Sequence, residues 1–308
     1  MDARQLVKQI RDNRELLVRN NQLAFEHFQM LKQNYVHLIN EEVALNFALS
    51  EALYAQQARS DYRQAIDISL AALDKYKTSV FKNLVAMHMR NIGHSYAHLG
   101  EFALAEMYLV EALDNLDESE PNYKSNKALI LNNLAMTCEF KAAGHEKAID
   151  YLNQAIELLA GDNDRVKRAN CLMGLGNIYN TMNNLPEALD KYRQAAGVLE
   201  GNYSLADMAS AYNNMGNCYL KMQELELAES YHQKAFDLRM KLGTPYPIGV
   251  SYFNLGMVHK TRGRLEQAGE YLNRACKMIE ELGDKPFLAQ INKELDSLEA
   301  LKRNTAGA

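Results

Sequence analysis

The feature that most constrains this chain is an internal repeat. Residues 211–236, AYNNMGNCYLKMQELELAESYHQKAF, and residues 251–276, SYFNLGMVHKTRGRLEQAGEYLNRAC, align without a gap on Gly216 and Gly256. Three residues on, each carries a ring (Tyr219, His259). An Ala stands twelve residues after each Gly (Ala228, Ala268), and another stands seven further on (Ala235, Ala275). A third copy begins at Cys171 and a fourth at His88. A chain made of one recurring unit has to be read one unit at a time.

Each half of the unit has the apolar spacing of a helix, and a polar or Gly-containing break separates the halves, as in 221–224 and 261–264. Two antiparallel helices approach closely only where side chains are small. Gly216, Ala228 and Ala235 therefore mark the contact line, with Met215, Tyr219, Leu225 and Tyr231 filling the space around it. This pattern resembles the tetratricopeptide repeat family, whose helix-turn-helix units stack into a solenoid. The resemblance implies an all-α fold of helical hairpins.

The Ala marker recurs at Ala24, Ala65, Ala105, Ala148, Ala188, Ala228 and Ala268, in steps of 41, 40, 43, 40, 40 and 40 residues. Seven beyond each stand Leu31, Ala72, Ala112, Ala155, Ala195, Ala235 and Ala275. The register predicts about seven helix pairs. Five repeats span 84–282, a weaker one 43–82, and a divergent pair or cap 1–42, where Asp12 falls at the small position. After Pro286, FLAQINKELDSLEAL spaces Leu288, Ile291, Leu295 and Leu298 along one face, so a capping helix is expected over 285–302. Residues 1–302 then form a single solenoid, with a frayed tail at 303–308.

A step near 40 exceeds the roughly 34 residues usual for the family. The surplus is expected in 117–124, 161–164, 201–204, 243–247 and 283–286, and in an insertion at 138–147. Such long repeats resemble those of bacterial peptide receptors and sensors, kinesin light chains and Pins-type adaptors. That resemblance implies a protein-binding role without choosing among these functions.

Composition narrows the classes further. At 47% apolar residues, with 16 Gly and 5 Pro in 308, the chain is globular and helix-compatible. A formal charge of -5 weighs against nucleic acid or an anionic membrane as the main partner. No stretch reaches the roughly 18 apolar residues of a membrane span, and the N-terminal residues are charged and lack the apolar core of a signal peptide. Cys138, Cys171, Cys218 and Cys276 stand singly, as small apolar residues do in a reducing compartment. A cytoplasmic location is expected.

No catalytic constellation is present in the sequence, and no enzyme activity or cofactor is expected. Gly174-Leu175-Gly176 lacks the preceding strand and third glycine of a nucleotide-binding turn, so its small residues read as a helix crossing. His94 and His98, four apart, share a helix face as a metal pair would. With no further ligand in the unit, they read better as groove lining, and no metal site is expected.

The most informative residue type is Asn. In the family, the first helix of each unit lines a concave groove. At its groove positions this chain carries Arg90, Asn91, His94 and His98, then Asn132 and Asn133, then Asn177. The next two units contribute Asn213, Asn214, Asn217 and Lys221, and Asn254 and Lys260. Asn is a mediocre helix former, but its amide both donates and accepts, as reading an extended backbone requires. The same amides can equally bond a neighbouring repeat. Arg90, His94, Lys221 and Lys260 bias the groove toward a protein or peptide segment with an acidic residue or free carboxylate. The family's carboxylate clamp for chaperone tails is only partly matched, because Asn170 and Gly174 stand where positive charge is needed. The expected function is a non-enzymatic scaffold for an extended partner segment. The alternative is a ligand-sensing segment of a bacterial signalling protein, controlling an attached or recruited cyclase, kinase or transcription factor.

Overall fold

The computed structural model describes residues 1–19, 21–120, 122–139, 144–161, 164–201 and 204–306. Parts of the expected turn stretches (121, 140–143, 162–163, 202–203) and residues 307–308 of the tail lie outside the described residues. Among the described residues there are fifteen α-helices, one short 3₁₀ turn (Val36–Leu38) and no strand.

The chain divides into two compact units, Met1–Leu159 and Ala160–Ala308. The N-terminal unit holds four hairpins: α1 (Ala3–Arg19) with α2 (Asn21–Asn34), α3 (Glu41–Arg59) with α4 (Tyr62–Tyr76), α5 (Lys82–His98) with α6 (Phe102–Asp114), and α7 (Tyr123–Glu139) with α8 (His145–Leu158). The C-terminal unit holds three: α9 (Arg165–Thr181) with α10 (Leu185–Val198), α11 (Leu205–Lys221) with α12 (Leu225–Leu242), and α13 (Pro245–Thr261) with α14 (Leu265–Leu282). A single helix follows, α15 (Lys285–Ala306), packed on α14 and running past the cap boundary expected at residue 302.

The small-residue line is the crossing within each hairpin. All seven marker alanines are buried. A methyl added at Gly93 would sit 2.6 Å from Leu109, at Gly176 2.5 Å from Tyr192, at Gly216 2.8 Å from His232 and at Gly256 2.8 Å from Leu272. Each partner lies sixteen residues after its glycine, so in these four hairpins a turn of the second helix rests directly on first-helix backbone. The divergent first hairpin solves the same problem differently. Asp12 is exposed, and Asn13 takes the crossing, donating its side-chain amide to the carbonyl of the marker Ala24 at 2.7 Å.

The turn inside the repeat is also uniform. Seven residues after the small position, Gly100, Asn183, Gln223 and Gly263 adopt positive φ (80°, 59°, 61° and 74°). The next residue's N–H then closes the helix end, as Glu224 does on the Tyr219 carbonyl at 2.9 Å. Where the sequence places a long side chain here, at Gln223, the left-handed backbone is strained relative to glycine. Side-chain caps start other helices: Asn40 accepts from Val43 N–H, Asp61 from Gln64 N–H and Ser204 from Asp207 N–H.

Within the N-terminal unit α1 packs on α3, α3 on α5 and α5 on α7. Within the C-terminal unit α9 packs on α11, and α13 reaches α11 through side-chain bonds. No pair of second helices comes into comparable contact among the described residues. First helices therefore form the tighter, inner face of each unit, which is where the asparagines fall.

Candidate functional site

On the inner face of the C-terminal unit the amides bond one another across repeats. Asn254 donates to Asn213 Oδ1 at 2.7 Å, and Asn214 donates to Asn177 Oδ1 at 3.3 Å. Asn177 Oδ1 also accepts from the Tyr192 hydroxyl at 2.7 Å. The residue two before the small position thus reaches back to the residue three before it, or one after it, in the preceding repeat. Asn213 additionally accepts from Arg239 Nη1 (3.4 Å), which is buried and also donates to the Pro247 carbonyl (3.2 Å) and Ser251 Oγ (2.8 Å). Lys221 donates to Asn180 Oδ1 at 2.8 Å, and Lys260 to Glu294 Oε2 at 2.7 Å and Ser297 Oγ at 2.9 Å. Of the expected groove residues here, Asn217 is half-buried and has no bonded partner among the described residues. In this unit the ladder is mostly stapling between repeats.

The N-terminal unit differs at the same positions. Asn91 is fully buried and donates to Ser69 Oγ at 3.2 Å, while its side-chain Oδ1 has no partner. Asn133 is buried with its amide nitrogen unpaired. The two positions that accept such an amide in the other unit are here Arg90 and His94, and a guanidinium has no acceptor to offer. Arg90 Nε and His94 Nδ1 are themselves buried without partners. Asn132 is half-buried on the same helix as Asn133.

A second arginine joins this cluster, and the repeat pattern did not reveal it. Arg14 of α1 donates from Nε to Ser50 Oγ at 2.8 Å, and from Nη2 to the Asn46 carbonyl at 2.7 Å and Asn46 Oδ1 at 2.9 Å. Every one of these partners is neutral. Burial, with repulsion from Arg11 and Arg90, brings Arg14 down to about 9, and burial alone brings Arg90 to about 10. His94 falls to about 3 through burial and then the charges of Arg90 and His98. His88, whose Nε2 faces the Leu45 carbonyl at 3.1 Å, falls to about 4, chiefly through burial. Both imidazoles are neutral at pH 7.

His98 is exposed and stacks on Tyr62, ring centroids 4.5 Å apart and 5° from parallel. Its ring also lies 4.5 Å from that of His94. Among the described residues no group of three or more His, Cys, Asp or Glu is placed to hold a metal ion. Cys138, Cys171 and Cys218 are buried, and burial pushes the Cys171 thiol up to about 12, away from nucleophilic reactivity. No helix among the described residues is long and apolar enough to cross a membrane.

Stacked helical hairpins, with small residues at the crossings beyond the first, define the chain as a helical-repeat protein of the solenoid class. Tetratricopeptide repeat profiles match residues 84–161, 126–200 and 207–281, together more than half of the chain. The protein belongs to the tetratricopeptide repeat family. No curated protein sequence matches it. Among solved structures, a Rap protein complexed with Competence and Sporulation Factor is similar over 98% of this chain and 89% of its own, at 16% identity and TM-score 0.67. Apo NprR, a quorum sensor from B. thuringiensis, is similar over 98% of this chain and 81% of its own, at 16% identity and TM-score 0.66. BtubC (BKLC) from P. vanneervenii covers 78% of this chain and 93% of its own, at 19% identity and TM-score 0.59. At these identities the likeness is one of fold.

Proposed function

We propose that this chain is a non-enzymatic binding module that holds an extended protein or peptide segment along the inner face of its first helices. The observation that carries this reading is the run of amide and basic side chains at equivalent positions of the first helices within each unit, several with bonding capacity left over: Arg90, His94, Asn132 and Asn133 in the N-terminal unit and Asn217 in the C-terminal one. An extended segment presents N–H and C=O groups at regular spacing, and such a row can pair with them whatever the segment's side chains are. A second reading, a ligand-sensing regulatory segment, draws support from the fold likeness to a quorum sensor and to a Rap protein complexed with its factor.

The test is a peptide-array screen with the full chain, followed by affinity measurements on the best binder. Asn217→Ala and Asn132→Ala should each weaken binding by about 0.5–1.5 kcal/mol while leaving the melting temperature unchanged. Binding that ignores both changes and is lost on altering outer, second-helix residues such as Met107 or Val110 would move the site to the other face and sink the inner-face reading. Sensor and scaffold separate on a further measurement: only a sensor should show a ligand-dependent change in scattering profile.

A further inference from the structure

We propose that the α9–α10 hairpin carries a small-molecule site, a cleft between the N-terminal half of α9 and the last turn of α10 that holds a compact ligand by a phosphate group on Arg168 and Arg165. None of the cleft's residues is one of the inner-face positions, and the site does not rest on the segment-binding reading above.

The cleft has a volume of about 390 Å³, the size of a site for a small ligand. Leu172 and Val198 line it with apolar surface, Arg165, Arg168 and Gln194 with polar groups, and among the described residues no carboxylate lines it. Two departures from the repeat create it. Counted from the small position, Arg168 stands where three other first helices carry Val85, Met208 and Ile248. A fourth carries Lys127, whose ammonium donates to the Tyr123 hydroxyl at 3.0 Å. Arg168 is half-buried, and its Nε is shut off from solvent with no acceptor. An N–H left in that state is costly, and a bound acceptor offsets the cost. The second departure is Gly197, which stands where other second helices carry Asp114, Glu157, Asp237 and Lys277. Glycine weakens a helix, and neither usual reason for one applies here. Gly197 is not among the positive-φ glycines, and a Cβ on it would meet nothing within 4 Å. What the missing side chain leaves is room, in the cleft that Arg168 lines. A guanidinium only donates, so its partner is an acceptor-rich anion, and the three terminal oxygens of a phosphate can meet two guanidinium groups at once. Gln194 donates its amide to Asp190 Oδ2 at 2.7 Å, which orients the side chain and leaves Oε1 to accept from a ligand hydroxyl. The carbon skeleton of the ligand then rests on Leu172 and Val198.

The experiment titrates the whole chain with sodium phosphate, with ribose 5-phosphate and with sodium acetate, each against sodium chloride at matched ionic strength. Arginine Nε–H resonances are followed by NMR. Saturable shifts of Arg168 and Arg165 are expected with both phosphates, with Arg239 unmoved. The ester should bind more tightly than inorganic phosphate, because its sugar also reaches Leu172, Val198 and Gln194. Arg168→Met and Gly197→Asp each make a position match another repeat, as Met208 and Asp237 do, so both variants should keep the parent helicity by circular dichroism. Each should weaken ribose 5-phosphate binding about tenfold or more. Arg168→Met should melt no lower than the parent chain in chloride, since it removes a donor that has no acceptor. A lower melting temperature with unchanged affinity would make Arg168 a structural residue and overturn the site. The site is equally overturned if no saturable shift appears with either phosphate, or if acetate moves the same resonances as strongly. Inorganic phosphate binding as tightly as the ester would overturn the assignment to a small molecule.

Discussion

Each unit places the same repeat positions on its own inner face, and the two treat them in opposite ways. In the C-terminal unit the amide two before the small position closes onto an acceptor of the preceding repeat, Asn254 on Asn213 and Asn214 on Asn177. In the N-terminal unit the corresponding Asn133 meets a repeat whose two accepting positions are Arg90 and His94, and its amide is unpaired. A repeat family conserves geometry, and whether an inner-face residue is a staple or an open donor is decided by what stands one repeat earlier. Asparagine by itself does not announce which it is.

The largest expected effect tests what the units share. Gly93→Leu in one and Gly216→Leu in the other should each destabilise by roughly 1–3 kcal/mol or more in urea unfolding, since even a methyl meets its partner at 2.6–2.8 Å. A variant that unfolds like the parent chain would show that its unit is not held together at the crossing.

His232 comes next. It occupies the position filled by Leu109 and Leu272 in other repeats, and both ring nitrogens are buried without partners. Burial, then the charge of Arg239, lowers it from 6.5 to about 4. The unfolded chain therefore binds the proton more readily, so the stability of the neutral form is fully present above about 6.5 and is lost as pH falls toward 4. His232→Leu should stabilise by about 1 kcal/mol at pH 7 through relief of unsatisfied nitrogens, with a larger margin at pH 5. In the N-terminal unit His88 and His94 carry the same liability, so residual acid sensitivity in the variant should reside there. Equal margins at both pH values would mean that His232 does not titrate as its burial requires.

The staple contrast is sharpened by two alanine variants. Asn254→Ala should cost about 0.5–1.5 kcal/mol, because it removes a made bond and leaves Asn213 with one donor fewer. Asn133→Ala should cost distinctly less, since its nitrogen bonds nothing among the described residues. Equal thermal shifts would erase the distinction between the units.

The smallest effect lies in the turns. Gln223→Gly should raise stability by up to about 1 kcal/mol, as glycine occupies the left-handed region without the Cβ penalty. Gly100, already glycine at that offset in the N-terminal unit, should lose a similar amount on replacement by Gln. A melting curve indifferent to either change would imply that the turn relaxes out of positive φ.

The fold was legible because the repeat leaves a mark wherever backbones touch. The marker alanines are buried and the glycines lie under bulky side chains, as the need for small residues at a close crossing demands. The first hairpin was the exception. Its crossing is solved by a hydrogen bond from Asn13 rather than by a small side chain, and a pattern of sizes has no symbol for that substitution. The site was legible only as a list of candidates. Asn213, Asn214, Asn254, Lys221 and Lys260 were recognisable as inner-face residues, yet their bonds run to partners 26 to 41 positions away in sequence.

The sequence by itself determined the helical periodicity, the crossing line and the spacing of the units. These depend on residue size and polarity within one repeat, and each repeat restates them. Only the tertiary structure decided which polar groups are satisfied. Hydrogen bonding and charge compensation depend on contacts between repeats, over a few ångströms, and no periodicity encodes them. That is why Arg14, which belongs to no recognisable repeat position, meets its partners Ser50 and Asn46 only once α1 and α3 are packed together.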